Sequence, residues 1–183
     1  MLQENPIASF ALLLACILPA ACAPEPTGTT AGPAKGGVVQ AAAPGQVECR
    51  ASSPAVTAAG LTATNRARRQ AGLPPVAANA LLASAAAAHA CDMARSGRMA
   101  HAGSRSSGPA QRIKAAGYAP RIAAENIAAG PYGVEQTLRA WSGSGGHRAN
   151  MLIPQVREFG MGEATAADGR TRFWSAIYAA PGG

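Results

Sequence analysis

The sequence predicts an α+β domain, rich in helix, with a small antiparallel sheet enclosed between helices. Three observations carry this prediction. Of the 183 residues, 48% are hydrophobic but only 4% aromatic; alanine makes up much of that apolar content, and alanine favours helix. Glycine, proline and asparagine divide the middle of the chain into segments with apolar residues at helical spacing. Near the C-terminus, Asp168-Gly169 separates two strand-like runs, a strong hairpin signal.

In chain order, the first segment reads as an export signal. Residues 10–18 form an apolar run of signal-peptide length, and residues 7–22, interrupted by Pro19, fall short of the roughly 20 apolar residues a membrane span requires. Ala20-Ala21-Cys22 resembles a bacterial lipobox, in which Cys22 would be lipidated and tether the protein to a membrane; cleavage near Ala21 or Ala23 is the alternative. Either way the expected location is outside the cytoplasm: periplasmic, secreted or anchored as a lipoprotein. Residues 23–48 contain too few large apolar side chains to offset the entropy of ordering, so they read as a Pro/Gly/Ala-rich tether, with a domain over residues 49–183.

Within that domain, Ser53-Pro54 marks a helix start, with Pro at the first helical position, and Gly72 with Pro74 and Pro75 its end. Asn79 caps a second helix running to about Ser96 and stopped by Gly97. Leu82, Ala86, His89 and Met93 share one face of it, so His89 reads as a core histidine needing a single hydrogen-bond partner. Ser107-Gly108-Pro109 opens a short third helix that closes at Gly117, and Val134, Leu138 and Trp141 mark the inner face of a fourth, which leads into a glycine-rich loop carrying His147. Strands are expected around residues 124–128, over 158–164 and over 172–178. In the last, Phe173 and Ile177 point one way and Trp174, Ala176 and Tyr178 the other, as a strand covered by helices on both faces requires.

Charge and cysteine usage narrow the functional classes. The net charge of +7 favours anionic partners. The arginines are scattered, however, with Arg66, Arg68 and Arg69 the one tight group, and no nucleic-acid motif accompanies them, so no specific nucleic-acid partner is expected. Cys16 leaves with the signal and Cys22 is cleaved off or lipidated, which leaves Cys49 and Cys91 as a candidate structural disulfide.

Chemistry concentrates in His101, Glu125 and His147. Two neutral imidazoles can ligate zinc or another divalent cation at about 2.0–2.1 Å, with Glu125 fixing one tautomer; equally, the three can form a hydrogen-bonded network tying loops to the sheet. Ser144, three residues before His147, is the one tempting nucleophile, yet the glycine two positions before it that a nucleophile elbow needs is absent. Asn126 and Asn150 read as holders of loop backbone.

Several stretches in order resemble a known family: Asn65, His89-Ala90-Cys91-Asp92-Met93, His101, Arg112 through Tyr118, Glu125-Asn126-Ile127, Trp141, His147-Arg148-Ala149-Asn150-Met151-Leu152 and Phe159-Gly160-Met161-Gly162. Over residues 55–178 the chain is similar to the bacterial branch of the CAP superfamily, the cysteine-rich secretory protein, antigen 5 and pathogenesis-related class 1 group, also called the SCP domain. The resemblance implies an α-β-α sandwich with a cleft lined by two histidines and up to two acids, sometimes holding a divalent metal. His101, Glu125 and His147 fall on three of those positions; Ser144 stands where many eukaryotic members have a glutamate, which lowers cation affinity, and Gly145 where a proline is common. The expected protein is an exported binding module whose cleft of His101, Glu125, Ser144 and His147 takes a lipid or envelope component and whose His101 and His147 hold a divalent ion. A metal-dependent hydrolase and a purely structural envelope protein are the alternatives.

Overall fold

The computed structural model describes residues 37–182; the predicted signal, Cys16, Cys22 and most of the predicted tether lie outside them. Helices α1 (Pro54–Gln70), α2 (Ala80–Ser96), α3 (Pro109–Ala115), α4 (Val134–Gly143) and α5 (Gly145–Met151) surround six strands: β1 (Val39–Gln40), β2 (Ala77–Ala78), β3 (Arg98–Met99), β4 (Pro120–Gly130), β5 (Glu158–Thr165) and β6 (Arg172–Pro181). The main sheet has the order β2-β5-β6-β4. Its long strands are antiparallel, and only the two-residue edge strand β2 runs parallel to its neighbour β5.

Each long helix begins and ends where its local chemistry dictates. Pro54 occupies the first turn of α1, where its missing N–H is no loss. The Asn79 side chain accepts from the backbone N–H groups of Leu81 and Leu82 at 2.9 and 3.1 Å, and Gly97, with φ +68°, ends α2 in the left-handed conformation.

The sheet is buried on both faces, as the two-sided pattern of β6 requires. Trp174, Ala176 and Tyr178 join Trp141, Leu138, Met151 and Phe159 under α1, α4 and α5. Phe173, Ile177 and Ala179 point the other way, toward α2 and α3, among Leu82, Ala86, Met93 and Ile113. Alanines let α2 lie low over the sheet, and β5 answers with glycine: a Cβ on Gly160 would run into the backbone of Leu82 and Ala83, and one on Gly162 into Ala87. This α-β-α layering matches the expected fold.

Two boundaries differ from the sequence reading. The tether predicted through Glu48 ends earlier, because β1 pairs antiparallel with β3 and the next residues continue onto α2. The Ala41 N–H donates to the Gly97 carbonyl at 2.8 Å and the Gly45 N–H to that of Arg95 at 3.0 Å. Ala41, Ala42 and Val47 pack against the cluster around Met93 and Phe173; small side chains suffice here, since an existing helix supplies the surface. The disulfide forms as expected, Cys49 to Cys91 with Cα atoms 5.5 Å apart, and staples this segment to α2. The second difference is that His147 sits on a helix. Gly145 and Gly146 read as loop, but they form the first turn of α5, with Ser144 at its cap position.

Arg68, grouped in sequence with Arg66 and Arg69, is fully buried and is not part of a basic surface. Its guanidinium donates to the carbonyls of Pro74 (2.7 Å), Met151 (3.0 Å), Ile153 (2.9 Å) and Val156 (3.4 Å). It thereby ties α1 to the end of α5 and the segment that follows.

Candidate functional site

Glu125 is the hub. It lies on β4 on the α2/α3 face of the sheet, and its side chain is fully buried. One carboxylate oxygen accepts from Arg112 Nη2 at 2.8 Å and from Ser175 Oγ at 3.0 Å; the other pairs with His101 Nδ1 at 2.9 Å, with His89 Nε2 at 3.8 Å. Burial pushes this carboxyl up, but the His101 hydrogen bond and then the charges of His89, Arg112 and His101 outweigh it, leaving its pKa below the ordinary carboxylate value. An ionised Glu125 makes His101 the Nδ1–H donor, so Nε2 of that half-exposed ring carries the free lone pair.

His147 approaches from the other side of the sheet. Its ring stacks obliquely near Trp141, with centroids 6.2 Å apart, and its Nδ1 lies 2.9 Å from Ser144 Oγ. Burial first, then the charge of His101, push its pKa down, against the Ile127 carbonyl, so the imidazole is neutral at pH 7. Asn126 and Asn150 set the position of α5: Asn126 Nδ2 donates to the His147 carbonyl at 3.1 Å, and Asn150 Nδ2 to the Glu125 carbonyl at 3.0 Å and to Asn126 Oδ1 at 2.9 Å. Both asparagines hold backbone, as expected.

His89 occupies the core position its helical face implied. It has the expected partner, the Ala100 carbonyl at 2.9 Å from Nε2, but it also flanks Glu125. Burial, the largest influence, lowers its pKa and keeps it neutral. Sequence reasoning missed Arg112 and Ser175 as members of the cluster. Ser175 was detectable: strand alternation places it with Phe173 and Ile177 on an apolar face, where a hydroxyl needs a partner. Arg112 reaches Glu125 from α3, which packs on the same face of the sheet, a tertiary contact no local pattern reveals.

Among the described residues no three His, Cys, Asp or Glu side chains converge as a metal site. Glu125 has both oxygens committed, and His101 with His147 would number two where a catalytic zinc has three protein ligands. Ser144 lies between two helices, without the strand-turn-helix setting of a hydrolase nucleophile.

Replacing Glu125 by glutamine is expected to cost about 3 kcal/mol, because it leaves the Arg112 charge unmatched while preserving shape. The pH dependence follows in sign. The lowered pKa of Glu125 gives stability that is present above the ordinary carboxylate value and is lost as pH falls through the folded one; the lowered pKa values of buried His89 and half-buried His147 act likewise below about 6.5. Urea unfolding from pH 7 to pH 3 should show stability falling in both steps, with the acidic step flattened in Glu125→Gln. An unchanged acidic step in that variant would contradict the assignment.

The model of the cysteine-rich secretory protein family, CAP, matches residues 61–178. The chain belongs to the CAP family. YkwD of Bacillus subtilis is 33% identical over 99 residues, 54% of this chain and 38% of that protein. An extracellular SCP-domain protein from Bacillus anthracis superposes with a TM-score of 0.61 at 26% identity, over 68% of this chain and 40% of the other. An outer surface protein of Borrelia burgdorferi shares the fold, with a TM-score of 0.60 at 16% identity, over 67% of this chain and 90% of its own. The chain thus spans about two fifths of the length of its Bacillus relatives. As a CAP domain it has the family's sheet between helices, stapled by Cys49–Cys91, and among its described residues no helix is long and apolar enough to cross a membrane.

Proposed function

We propose that this CAP domain is an exported binding module whose cleft between His101 and His147 takes a lipid or other envelope component and holds a divalent cation weakly. The observation that carries binding over catalysis is the state of Glu125. A general base must be reachable and able to take a proton, whereas this carboxylate is sealed from solvent and saturated by Arg112, Ser175 and His101. Its role is to orient His101. The predicted leader and the surface or extracellular setting of the two neighbours named above support export, and Cys22 would supply a membrane tether.

A bound divalent ion would polarise a ligand oxygen; His101 and His147 would hold it, and Glu125 would fix the His101 tautomer. The second reading, a metal-dependent hydrolase acting on envelope lipid or peptide, draws on the neutral His147 imidazole, an available proton acceptor.

Zinc calorimetry on wild type, His101→Ala and His147→Ala tests the cleft. Modest affinity in wild type, lost in both variants and weakening as pH falls through about 6.5, is the expected result, since imidazole ligates only when neutral. Equal affinity in all three proteins removes the ion and, with it, the hydrolase reading. Native mass spectrometry of protein purified from the envelope checks the ligand: a co-purified lipid or glycan lost in the double histidine variant is expected.

A further inference from the structure

Three glycines, Gly143, Gly145 and Gly146, surround Ser144 where α4 gives way to α5. None has the positive φ that favours glycine, and a Cβ at any of them would meet nothing within 4 Å. Neither backbone conformation nor crowding therefore calls for glycine here. Alanine at positions 145 and 146 would favour the helix. Proline would suit position 145 as well: it is the first helical position, and Ser144 before it, at φ −94° and ψ 125°, already has the extended conformation that a residue before proline prefers. The chain forgoes these gains at one and the same turn, which leaves that turn weakly held.

The side chains that dock α5 on the domain take hold only from His147 onward. Asn126 Nδ2 donates to the His147 carbonyl at 3.1 Å, Asn150 Nδ2 to the Glu125 carbonyl at 3.0 Å, and Arg68 Nη1 to the Met151 carbonyl at 3.0 Å. The bond that closes the first turn runs from the Arg148 N–H to the Ser144 carbonyl at 2.8 Å. The Ser144 side chain caps no backbone N–H; its Oγ lies instead 2.9 Å from His147 Nδ1. His147 thus straddles a boundary. Its carbonyl is pinned to β4, while its imidazole is hydrogen-bonded to the weak turn.

We infer that residues 143–146 are a hinge: the first turn of α5 melts and re-forms while the rest of the helix stays docked, and each melting frees the His147 imidazole from Ser144 to turn away from Trp141. On the reading of His147 as a cleft residue, on which this part rests, the swing of the ring admits an occupant bulkier than a metal ion.

Two measurements on the purified protein without ligand test the hinge. Hydrogen exchange at the Arg148 amide should be far faster than at the amides of β6, and should slow about tenfold in Gly145→Pro and in Gly145→Ala with Gly146→Ala, with no fall in melting temperature. Diethyl pyrocarbonate, which acylates neutral imidazole, reports on the ring itself. Its reaction with half-buried His147, mapped by mass spectrometry, should slow by a similar factor in the same variants, while exposed His101 keeps its rate. Protection of Arg148 as high as that of β6 in the wild type overturns the inference. So does a His147 reaction rate that the variants leave unchanged, or one that slows equally at His101. Neither measurement involves an ion or a lipid, so the hinge and the binding reading can fail separately.

Discussion

Replacing Arg68 with methionine is expected to lower stability by about 4 kcal/mol, although methionine has comparable length and the site is internal. Four backbone carbonyls, those of Pro74, Met151, Ile153 and Val156, take their hydrogen bonds from this one guanidinium. Orphaning a buried acceptor costs about 1–3 kcal/mol, and the gain from no longer burying a charge recovers part of the sum. Burial, and then the nearby charge of Arg157, lower the pKa of Arg68, the sign of a charge kept inside for its donors. Lysine should not rescue it, since a single ammonium has three donors and no planar fork. Urea unfolding provides the measurement, and a loss under about 1 kcal/mol in Arg68→Met would show that the carbonyls find other partners. Because three of the four lie at the end of α5 or just beyond, the His147 imidazole signals should broaden or shift in the same variant.

A comparable loss, about 4 kcal/mol, is expected for Cys49→Ser with Cys91→Ser. The two cysteines are 42 residues apart, and in the chain-entropy model a crosslink closing a loop of that length stabilises by this amount, strain aside. Cys91 is buried in α2, whereas the segment before Cys49 holds on through few contacts: the β1–β3 ladder, three backbone bonds, the Gln40 side chain on the Gly97 carbonyl and three small apolar side chains. The variant should therefore also expose amides 39–47 to rapid hydrogen exchange while the sheet stays protected. Equal unfolding midpoints for wild type and variant would refute the estimate.

The fold was legible wherever several residues combined into one signal. Start and stop signals located α1, periodicity α4 and both together α2, each to within a few residues, and the opposite orientations of Phe173 and Trp174 announced a sheet covered on both faces. Strands of two residues gave no such signal: β1, β2 and β3 exist because a partner is already in place, and Val39 has no alternating neighbours to mark it. The same applies to α5, whose seven residues make barely two turns and begin with two glycines. In the site, His101, Glu125 and His147 stood out by residue type. Their wiring did not: whether Glu125 faces a cation or a guanidinium depends on where α3 lies against β4, a tertiary fact.

The short β1–β3 ladder governs how the domain can be attached to anything else. Val39 stands opposite Met99 and Gln40 opposite Arg98, so continuing toward the N-terminus in the same register brings Val38 level with Ala100 and Gly37 level with His101. The N-terminal end of the described residues thus lies beside β3, two residues before His101, whereas the end of β6 lies by Ala119, where the Gly182 N–H donates to the Ala119 carbonyl. A bead, dye or fusion partner joined directly before Val38 is expected to crowd His101 more than one joined after Gly182. Immobilised in the two orientations, the same protein should differ in how readily large ligands reach it, while small ions reach it equally.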